Sequence, residues 1–318
     1  MIEVKVKAFA KINLSLDVTG VRPNGYHDVS MIMQTVGLCD ELILRKNFSD
    51  TPTTDPENLK IEIEALPGDP DGDNYINVSG LSFGEDNLIY KAAKLFFSEC
   101  KKKEKILFKP NENCSGVGIL IQKNIPLSAG LAGGSTDAAA TLRGLNSLFE
   151  AGFSQKELCS IGEKIGADVP FCIMGGTMLS EGIGEILTTL PPAPDCYVLI
   201  AKPDNGLSTK YVYDNLKMEN LKHPDTEAVI DAIVRNDLRD LCENMGNVLE
   251  TVAIPEIPMI AAMKTTMRSM GAVGSLMSGS GSSVFGLFSD EAKAKKAEKN
   301  FRLTAFAKET YLTKFVRV

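Results

Sequence analysis

Glycine and hydroxyl residues cluster in the middle of the chain, in a pattern that could hold phosphate groups. Glycine lets backbone N–H groups approach a ligand closely, and the free N–H groups at the start of a helix attract anions. A helical pattern follows at once, because Ala138, Leu142 and Leu145 recur on or near one face. We therefore predict a phosphate-binding segment, the glycine loop, which consists of Pro126, Leu127, Ser128, Ala129, Gly130, Leu131, Ala132, Gly133, Gly134, Ser135 and Thr136.

The glycine loop matches neither of two common nucleotide-binding types. The chain contains no Gly-Lys-Ser or Gly-Lys-Thr, which ends a Walker A loop, and the loop lacks the G-x-G-x-x-G spacing of a Rossmann fingerprint. An ordinary turn before a helix start capped by Ser or Thr is the simpler alternative. Three glycines, two adjacent hydroxyls and a preceding strand together favour phosphate binding.

Three other places combine polar side chains in patterns that suggest a function. Lys11 and Asn13 lie on the same side of an otherwise apolar strand, where an exposed polar strand face is the alternative. Asp168 follows Gly166, where a helix C-cap and a turn would also explain the sequence. The serine loop, residues 278–283, separates two strands, and a tight hairpin turn is its simplest interpretation.

Composition limits the classes of function that the chain can have. A net charge of −7 excludes an overall basic face for nucleic acid, and two histidines leave little for a His-rich metal site. No segment approaches the ~20 apolar residues of a membrane span, and the N-terminus lacks the apolar core of a signal peptide. The seven cysteines have no C-x-x-C spacing, so we expect neither disulfides nor zinc, and a cytoplasmic location.

The 318 residues suggest two domains. A helix, two strands, a helix and a last strand follow one another after residue 258, which points to a small layer of helices on an antiparallel sheet. We predict an ATP-binding and catalytic domain over residues 1–170 and a substrate-side domain over residues 171–318. Residues 47–84, rich in Asp, Pro, Gly and Thr, are predicted to form a surface excursion.

The glycine loop, the Ala-Lys-Ile-Asn-Leu strand ending at Leu14 and the serine loop together resemble the GHMP kinase superfamily. Within it, they resemble the family of 4-diphosphocytidyl-2-C-methyl-D-erythritol kinases, and the resemblance runs from about residue 9 to residue 288. Four further segments carry it: Arg22-Pro-Asn-Gly-Tyr-His-Asp28, Glu85-Asp-Asn-Leu-Ile89, Gly166-Ala-Asp-Val-Pro-Phe171 and Glu181-Gly-Ile-Gly-Glu185. Ala129 and Ala132 depart from it, since glycine is frequent there in the family.

The resemblance implies a fold and a reaction. The fold is α+β, with an N-terminal domain like ribosomal protein S5 and a C-terminal ferredoxin-like layer. The reaction moves a phosphoryl group from ATP, with Mg²⁺ whose protein ligands stay unassigned, to the 2-hydroxyl of a small-molecule substrate in isoprenoid precursor synthesis. By resemblance, the glycine loop holds the ATP phosphates, Lys11 stabilises charge and Asp168 accepts the hydroxyl proton.

The resemblance also assigns residues to the cytidine substrate, namely Asn13, Tyr26, His27 and Tyr213. Tyr26 and Tyr213 would sandwich the base, and His27 would bind its edge; packing of Tyr213 within a helix is the alternative. Two other functions stay open at this point. One is another GHMP activity, such as mevalonate or homoserine phosphorylation, and the other is a binding module that has lost catalysis.

Overall fold

The computed structural model describes residues 2–53, 55–66, 78, 81–105, 113–219, 221–304 and 306–317. Much of the predicted excursion, namely residues 54, 67–77, 79 and 80, lies outside these residues. The chain divides into two compact units that alternate along the sequence. The first unit comprises Met1–Phe9, Cys39–Ile125 and Gly133–Met174, and the second comprises Ala10–Leu38, Pro126–Ala132 and Gly175–Val318.

Seven strands of the described residues form the larger sheet, and its two longest strands contribute to both units. The strands are β1 (Glu3–Val21), β2 (His27–Phe48), β3 (Lys60–Ala65), β4 (Cys114–Gln122), β5 (Thr177–Glu181), β6 (Ile186–Thr189) and β8 (Gly246–Asn247). Their order is β3-β4-β2-β1-β8, with β5 beside β2 and β6 beside β5. The pairs β3–β4 and β1–β8 are parallel, whereas β4 and β5 each run antiparallel to β2.

The helices of the first unit are α1 (Leu88–Lys102), α2 (Gly133–Leu148), α3 (Gln155–Glu163) and α4 (Val169–Met174). A capping box begins α3, because Ser154 and Glu157 each bind the other's backbone N–H. Helix α2 lies close against the sheet: a Cβ on Gly144 would come within 2.7 Å of Leu44 Cδ1. A larger residue at this position would therefore require Leu44 to shift.

The second unit contains a four-stranded antiparallel sheet in the order β11-β7-β10-β9. Its strands are β7 (Tyr197–Lys202), β9 (Gly274–Met277), β10 (Val284–Phe288) and β11 (Glu309–Lys314). Helices α9 (Met259–Ser269) and α10 (Glu291–Arg302) contact this sheet. The predicted succession of helix, two strands, helix and strand is confirmed.

The remaining helices of the second unit are α5 (Thr209–Asp214), α6 (Thr226–Val234), α7 (Leu238–Asn244) and α8 (Glu250–Glu256). Helix α8 and, in the first unit, helix α4 were not predicted from the sequence. Among the residues that the structure describes, no helix is both long and apolar enough to cross a membrane.

Three ionisable side chains form a buried cluster in the first unit, between the end of β4 and the start of α2. Lys123 donates to Asp137 on α2 over 2.7 Å and also to Asp40 on β2. Asp40 accepts the backbone N–H groups of Asn124 and Ile125 at 2.5 and 2.8 Å. The cluster thus fixes the residues just before position 126 and the helix that begins at position 133. Residues 126–132 of the glycine loop lie between these two fixed points along the chain.

Two carboxyl groups share one ammonium group in this cluster, so full ionisation would leave an excess negative charge. Burial raises the pKa of Asp137 well above its ordinary value, and the charge of Asp40 adds to the effect despite the attraction of Lys123. Burial opposes ionisation of Lys123, but the two carboxyl groups raise its pKa. Asp137 Oδ1 is buried without a hydrogen-bond partner among the described residues, which costs less for a neutral carboxyl group than for a carboxylate.

The raised pKa of Asp137 makes stability depend on pH. The folded chain holds this proton more tightly than the unfolded chain, so the stabilisation is complete at low pH and is lost as pH rises toward the raised pKa. Asp137→Asn keeps a neutral side chain and removes this loss. We expect the Tm of the variant, relative to wild type, to increase from about pH 5 to about pH 8 in scanning calorimetry.

Asp231→Asn, on an exposed face of α6, is the control and should show a Tm difference that does not vary in this way. A Tm difference for Asp137→Asn that is flat or decreases with pH would contradict a proton on Asp137.

Candidate active site

The first part of the glycine loop, residues 126–132, belongs to the second unit and alternates in backbone conformation. Ser128, Gly130 and Ala132 have φ angles of 51°, 73° and 58°, and the residues between them do not have positive φ. Alternation between right- and left-handed residues is the backbone pattern of anion-binding nests, in which successive N–H groups turn toward one side, and we refer to residues 128–132 as the nest. The left-handed backbone at Ala132 also explains why glycine is frequent at that position in the family. Ala129 does not have a positive φ, so this explanation does not apply to it.

The second part of the glycine loop is the first turn of α2 in the first unit, where N–H groups have no partner within the helix. A Cβ on Gly133 would lie 3.5 Å from Lys123 Nζ, so the buried ammonium group lies close to the first residue of the helix. Thr136 is buried and its hydroxyl donates to the Phe9 carbonyl over 2.7 Å. The Thr136 side chain therefore ties α2 to β1.

Lys11 and Asn13 lie in β1, in the second unit. Both are buried, which excludes the exposed polar face considered from the sequence. Lys11 Nζ donates to Asn13 Oδ1 over 2.8 Å, and Asn13 Nδ2 donates to Met31 Sδ over 3.3 Å. The Lys11 backbone N–H donates to the carbonyl of Leu131 over 3.2 Å, which attaches the glycine loop to β1. Asn13 thus binds the Lys11 ammonium group, while the Lys11 backbone binds the glycine loop.

Asp168 belongs to the first unit and immediately precedes α4. Its carbonyl accepts the N–H of Cys172 over 3.0 Å, and the residue is partly exposed. Helix α3 ends at Glu163, so Asp168 lies at the start of the next helix rather than in the C-cap of the preceding one. A carboxylate is favoured at a helix start, because the dipole is positive there.

The residues assigned to cytidine lie in the second unit. Tyr26 follows a turn in which Gly25 has φ of 84° and Asn24 Oδ1 accepts the Tyr26 N–H over 3.1 Å. Tyr26 is 59% exposed. The rings of His27 and Tyr213 have centroids 5.1 Å apart, inclined at 52°. Tyr213 lies in helix α5, as the alternative interpretation predicted. The helix nevertheless places the Tyr213 ring beside His27.

The serine loop joins β9 to β10, so the hairpin interpretation is correct, but the loop also grips the glycine loop within the second unit. Ser278 Oγ donates to the Gly130 carbonyl over 2.9 Å, and the Ser283 N–H donates to the Ala129 carbonyl over 3.3 Å. A Cβ on Gly130 would lie 2.1 Å from the Ser278 carbonyl oxygen. The two loops therefore touch through their backbones.

Asn247, at the end of β8, was not predicted as a functional residue. Its Nδ2 donates to the carbonyls of Met277 and Gly279, at 2.9 and 2.8 Å, at the start of the serine loop. Its Oδ1 accepts the Leu249 N–H over 3.0 Å, which is an Asx turn. In the sequence, nothing marks Asn247 as functional except the two apolar residues and the acidic residue that follow it.

The described residues include no group of three or more His, Cys, Asp or Glu side chains that could hold a metal ion. Mg²⁺ does not require such a group, because it is usually bound through one or two carboxylates together with water and substrate phosphates.

Comparison with known proteins relates the chain to kinases. The model of the GHMP kinases N terminal domain matches residues 87–176, and that of the GHMP kinases C terminal domain matches residues 229–305. A 4-diphosphocytidyl-2-C-methyl-D-erythritol kinase of Lachnoclostridium phytofermentans is 45% identical over 98% of this chain and 97% of its own length.

Solved structures agree. A crystal structure of 4-(cytidine 5'-diphospho)-2C-methyl-D-erythritol kinase matches with a TM-score of 0.76 and 28% identity, over 99% of this chain and all of that chain. The homoserine kinase of Cytophaga hutchinsonii has a TM-score of 0.70 at 19% identity, over 99% of this chain and 95% of its own, so it shares the fold. The fold is the two-domain α+β fold of GHMP kinases, and the chain belongs to the family of 4-diphosphocytidyl-2-C-methyl-D-erythritol kinases.

Proposed function

We propose that this chain is an ATP-dependent kinase that phosphorylates the 2-hydroxyl of 4-diphosphocytidyl-2-C-methyl-D-erythritol, for isoprenoid precursor synthesis. The observation that carries the proposal is the identity of 45% over almost the whole chain with a kinase of that name. The alternating backbone of the glycine loop, suited to phosphate, supports it.

In this proposal the glycine loop, residues 126–136, binds the phosphates of ATP. The N–H groups of the nest at Ser128–Ala132 and the start of α2 at Gly133 supply donors without a side-chain charge. Ser135 and Thr136 belong to the same helical turn. A fixed set of donors is suited to phosphoryl transfer, since catalysis there depends mainly on positioning and on neutralising negative charge.

Asp168 takes the proton of the substrate 2-hydroxyl in the proposed mechanism. The oxygen of that hydroxyl then forms a bond to the γ-phosphorus of ATP, the bond from that phosphorus to the β,γ-bridging oxygen breaks, and ADP leaves. Lys11, whose ammonium group is held by Asn13, neutralises charge on the transferring group. The order of events needs no covalent intermediate on the protein.

Mg²⁺ accompanies ATP in this proposal and neutralises phosphate charge. Its ligands among the side chains of this chain are not assigned; in sites of this kind water and substrate phosphates complete the coordination.

Recognition of the cytidine is assigned to Tyr26, His27 and Tyr213, with Asn13 near the acceptor hydroxyl. In this proposal the base stacks between the rings of Tyr213 and the exposed Tyr26, and the His27 ring contacts Tyr213, with centroids 5.1 Å apart. Stacking tolerates any base, and the polar edge of His27 would supply selectivity for cytosine.

We further propose that residues 1–170 carry ATP binding and catalysis, that residues 171–318 form the substrate side, and that the enzyme acts in the cytoplasm on a small molecule.

The proposed reaction is tested by coupled ADP release with the purified chain. We expect turnover with 4-diphosphocytidyl-2-C-methyl-D-erythritol and none above background with mevalonate or homoserine. Turnover of either control substrate in preference would establish a different GHMP activity. Absence of turnover with all three, from a chain that binds ATP, would identify a binding protein.

Replacing Asp168 should affect the chemical step. We expect Asp168→Asn to lower kcat at least ~100-fold, the low end for removal of a general base. Asp137→Asn is the matched control, since the same atoms change in a buried aspartate outside the reaction, and its kcat should fall much less. Steady-state kinetics at saturating ATP decide the ranking, and the opposite ranking would refute the role of Asp168.

Replacing either tyrosine should affect one substrate selectively. Loss of stacking worth ~1–3 kcal/mol per face predicts that Tyr26→Leu or Tyr213→Leu raises KM for the diphosphocytidyl substrate several-fold or more. KM for ATP should stay nearly constant. If both Michaelis constants rise together, or if only the Tm changes, the rings have a structural role instead.

A further inference from the structure

We propose that Asn247 is a positioning residue for ATP: it holds the serine loop in the one conformation that shapes the nest of the glycine loop. The inference rests on the proposed phosphate-binding role of that nest. Asn247 does not itself belong to the glycine loop, and it acts through residues 277–279.

The side chain of Asn247 has no substitute of the same size. It is 7% exposed, and both of its N–H groups and its oxygen are bound: to the carbonyls of Met277 and Gly279 and to the Leu249 N–H. Aspartate has the same shape but offers acceptors where two carbonyls need donors, and leucine offers neither. The asparagine therefore specifies where these two carbonyls lie.

Glu250 completes the grip on Met277. Its Oε1 accepts the Met277 N–H over 2.9 Å, and its Oε2 binds Lys264 Nζ at 2.5 Å. Asn247 and Glu250 thus bind the carbonyl and the N–H of the same residue, from one short segment. The start of the serine loop has little freedom to rotate or slide as a result.

The serine loop contacts the glycine loop directly, so the position of one determines the position of the other. Ser278 donates its hydroxyl to the Gly130 carbonyl, and the two backbones are so close that a Cβ on Gly279 would lie 2.9 Å from the same carbonyl oxygen. Gly130 is the central left-handed residue of the nest. A change at Met277–Gly279 must therefore move Gly130 and the N–H groups beside it.

Phosphate binding by a nest depends on the direction of several N–H groups at once, so a small rotation weakens all of them together. A purely structural asparagine would stabilise the fold without affecting affinity for ATP once the protein is folded. Affinity for ATP and thermal stability are therefore the two quantities that separate the possibilities.

The test compares Asn247→Asp with Asn300→Asp, the same change at an exposed position of α10. Calorimetry gives Kd for ATP without turnover, at a temperature where circular dichroism shows each variant folded. We expect Kd of Asn247→Asp to rise ~10-fold or more, on the scale of one or two lost hydrogen bonds, with Asn300→Asp unchanged. The excess should shrink at lower pH, because a protonated carboxyl group regains one donor.

Ser278→Ala supplies an independent variant if Asn247→Asp does not fold. It removes the hydroxyl that binds Gly130 and should also raise Kd for ATP. If both variants fold, the double variant should bind ATP about as weakly as the weaker single one, because both act through the same contact. Unchanged ATP affinity in folded Asn247→Asp, or in Ser278→Ala when that alone folds, would overturn the inference, as would additive effects.

The outcome is separable from that of the proposed reaction. If the wild-type chain fails to phosphorylate the diphosphocytidyl substrate, the proposed function fails, whereas the ATP-binding comparison still reports on Asn247. If the wild-type chain is active and the folded variant binds ATP as tightly, only the role of Asn247 fails.

Discussion

The first unit depends on one arrangement of charge, the buried Lys123 between Asp40 and Asp137. Buried charges are costly unless paired and hydrogen-bonded, so these three side chains are restricted to positions where each meets its partners. Asp40 also accepts two backbone N–H groups, which fixes the chain just before the glycine loop, and Asp137 fixes α2, whose first turn is the end of that loop. Apolar packing alone would allow sliding of strand against helix, whereas these directional contacts do not. The positions of the residues just before the glycine loop and of helix α2 are therefore determined by these charged and hydrogen-bonded contacts.

The sequence predicted those parts of the fold that have local signals. The helix after the glycine loop and the final succession of helix, two strands, helix and strand both follow from periodicity within short segments. Helix α4 was missed because six residues with a proline near the start give no measurable period, and neighbouring helices rather than propensity stabilise it. Helix α8 includes Pro255, which ordinarily argues against a helix.

In the site, too, the residues with a local sequence signal could be predicted and those that depend on tertiary contacts could not. The glycine loop could be recognised from composition, because glycine is required where backbone conformation is unusual. The roles of Lys11 and Asp168 came from resemblance to a family, since a lysine on a strand and an aspartate before a helix are individually common. Asn247 could not be found, because its contacts with Met277 and Gly279 join residues about thirty positions apart and leave no local pattern. The ring contact of His27 and Tyr213 is likewise a product of tertiary structure.

The contact between the two loops has a consequence for how this sequence can vary. A Cβ on Gly130 would meet the Ser278 carbonyl oxygen at 2.1 Å, and one on Gly279 would meet the Gly130 carbonyl oxygen at 2.9 Å. In an ordinary core contact, an enlarged residue can be accommodated by a smaller neighbour. Here the obstacle on each side is backbone, which every amino acid carries, so no exchange at the facing position creates room. The two glycines are therefore constrained together. Neither can be replaced by a larger residue unless the length of one of the two loops changes as well.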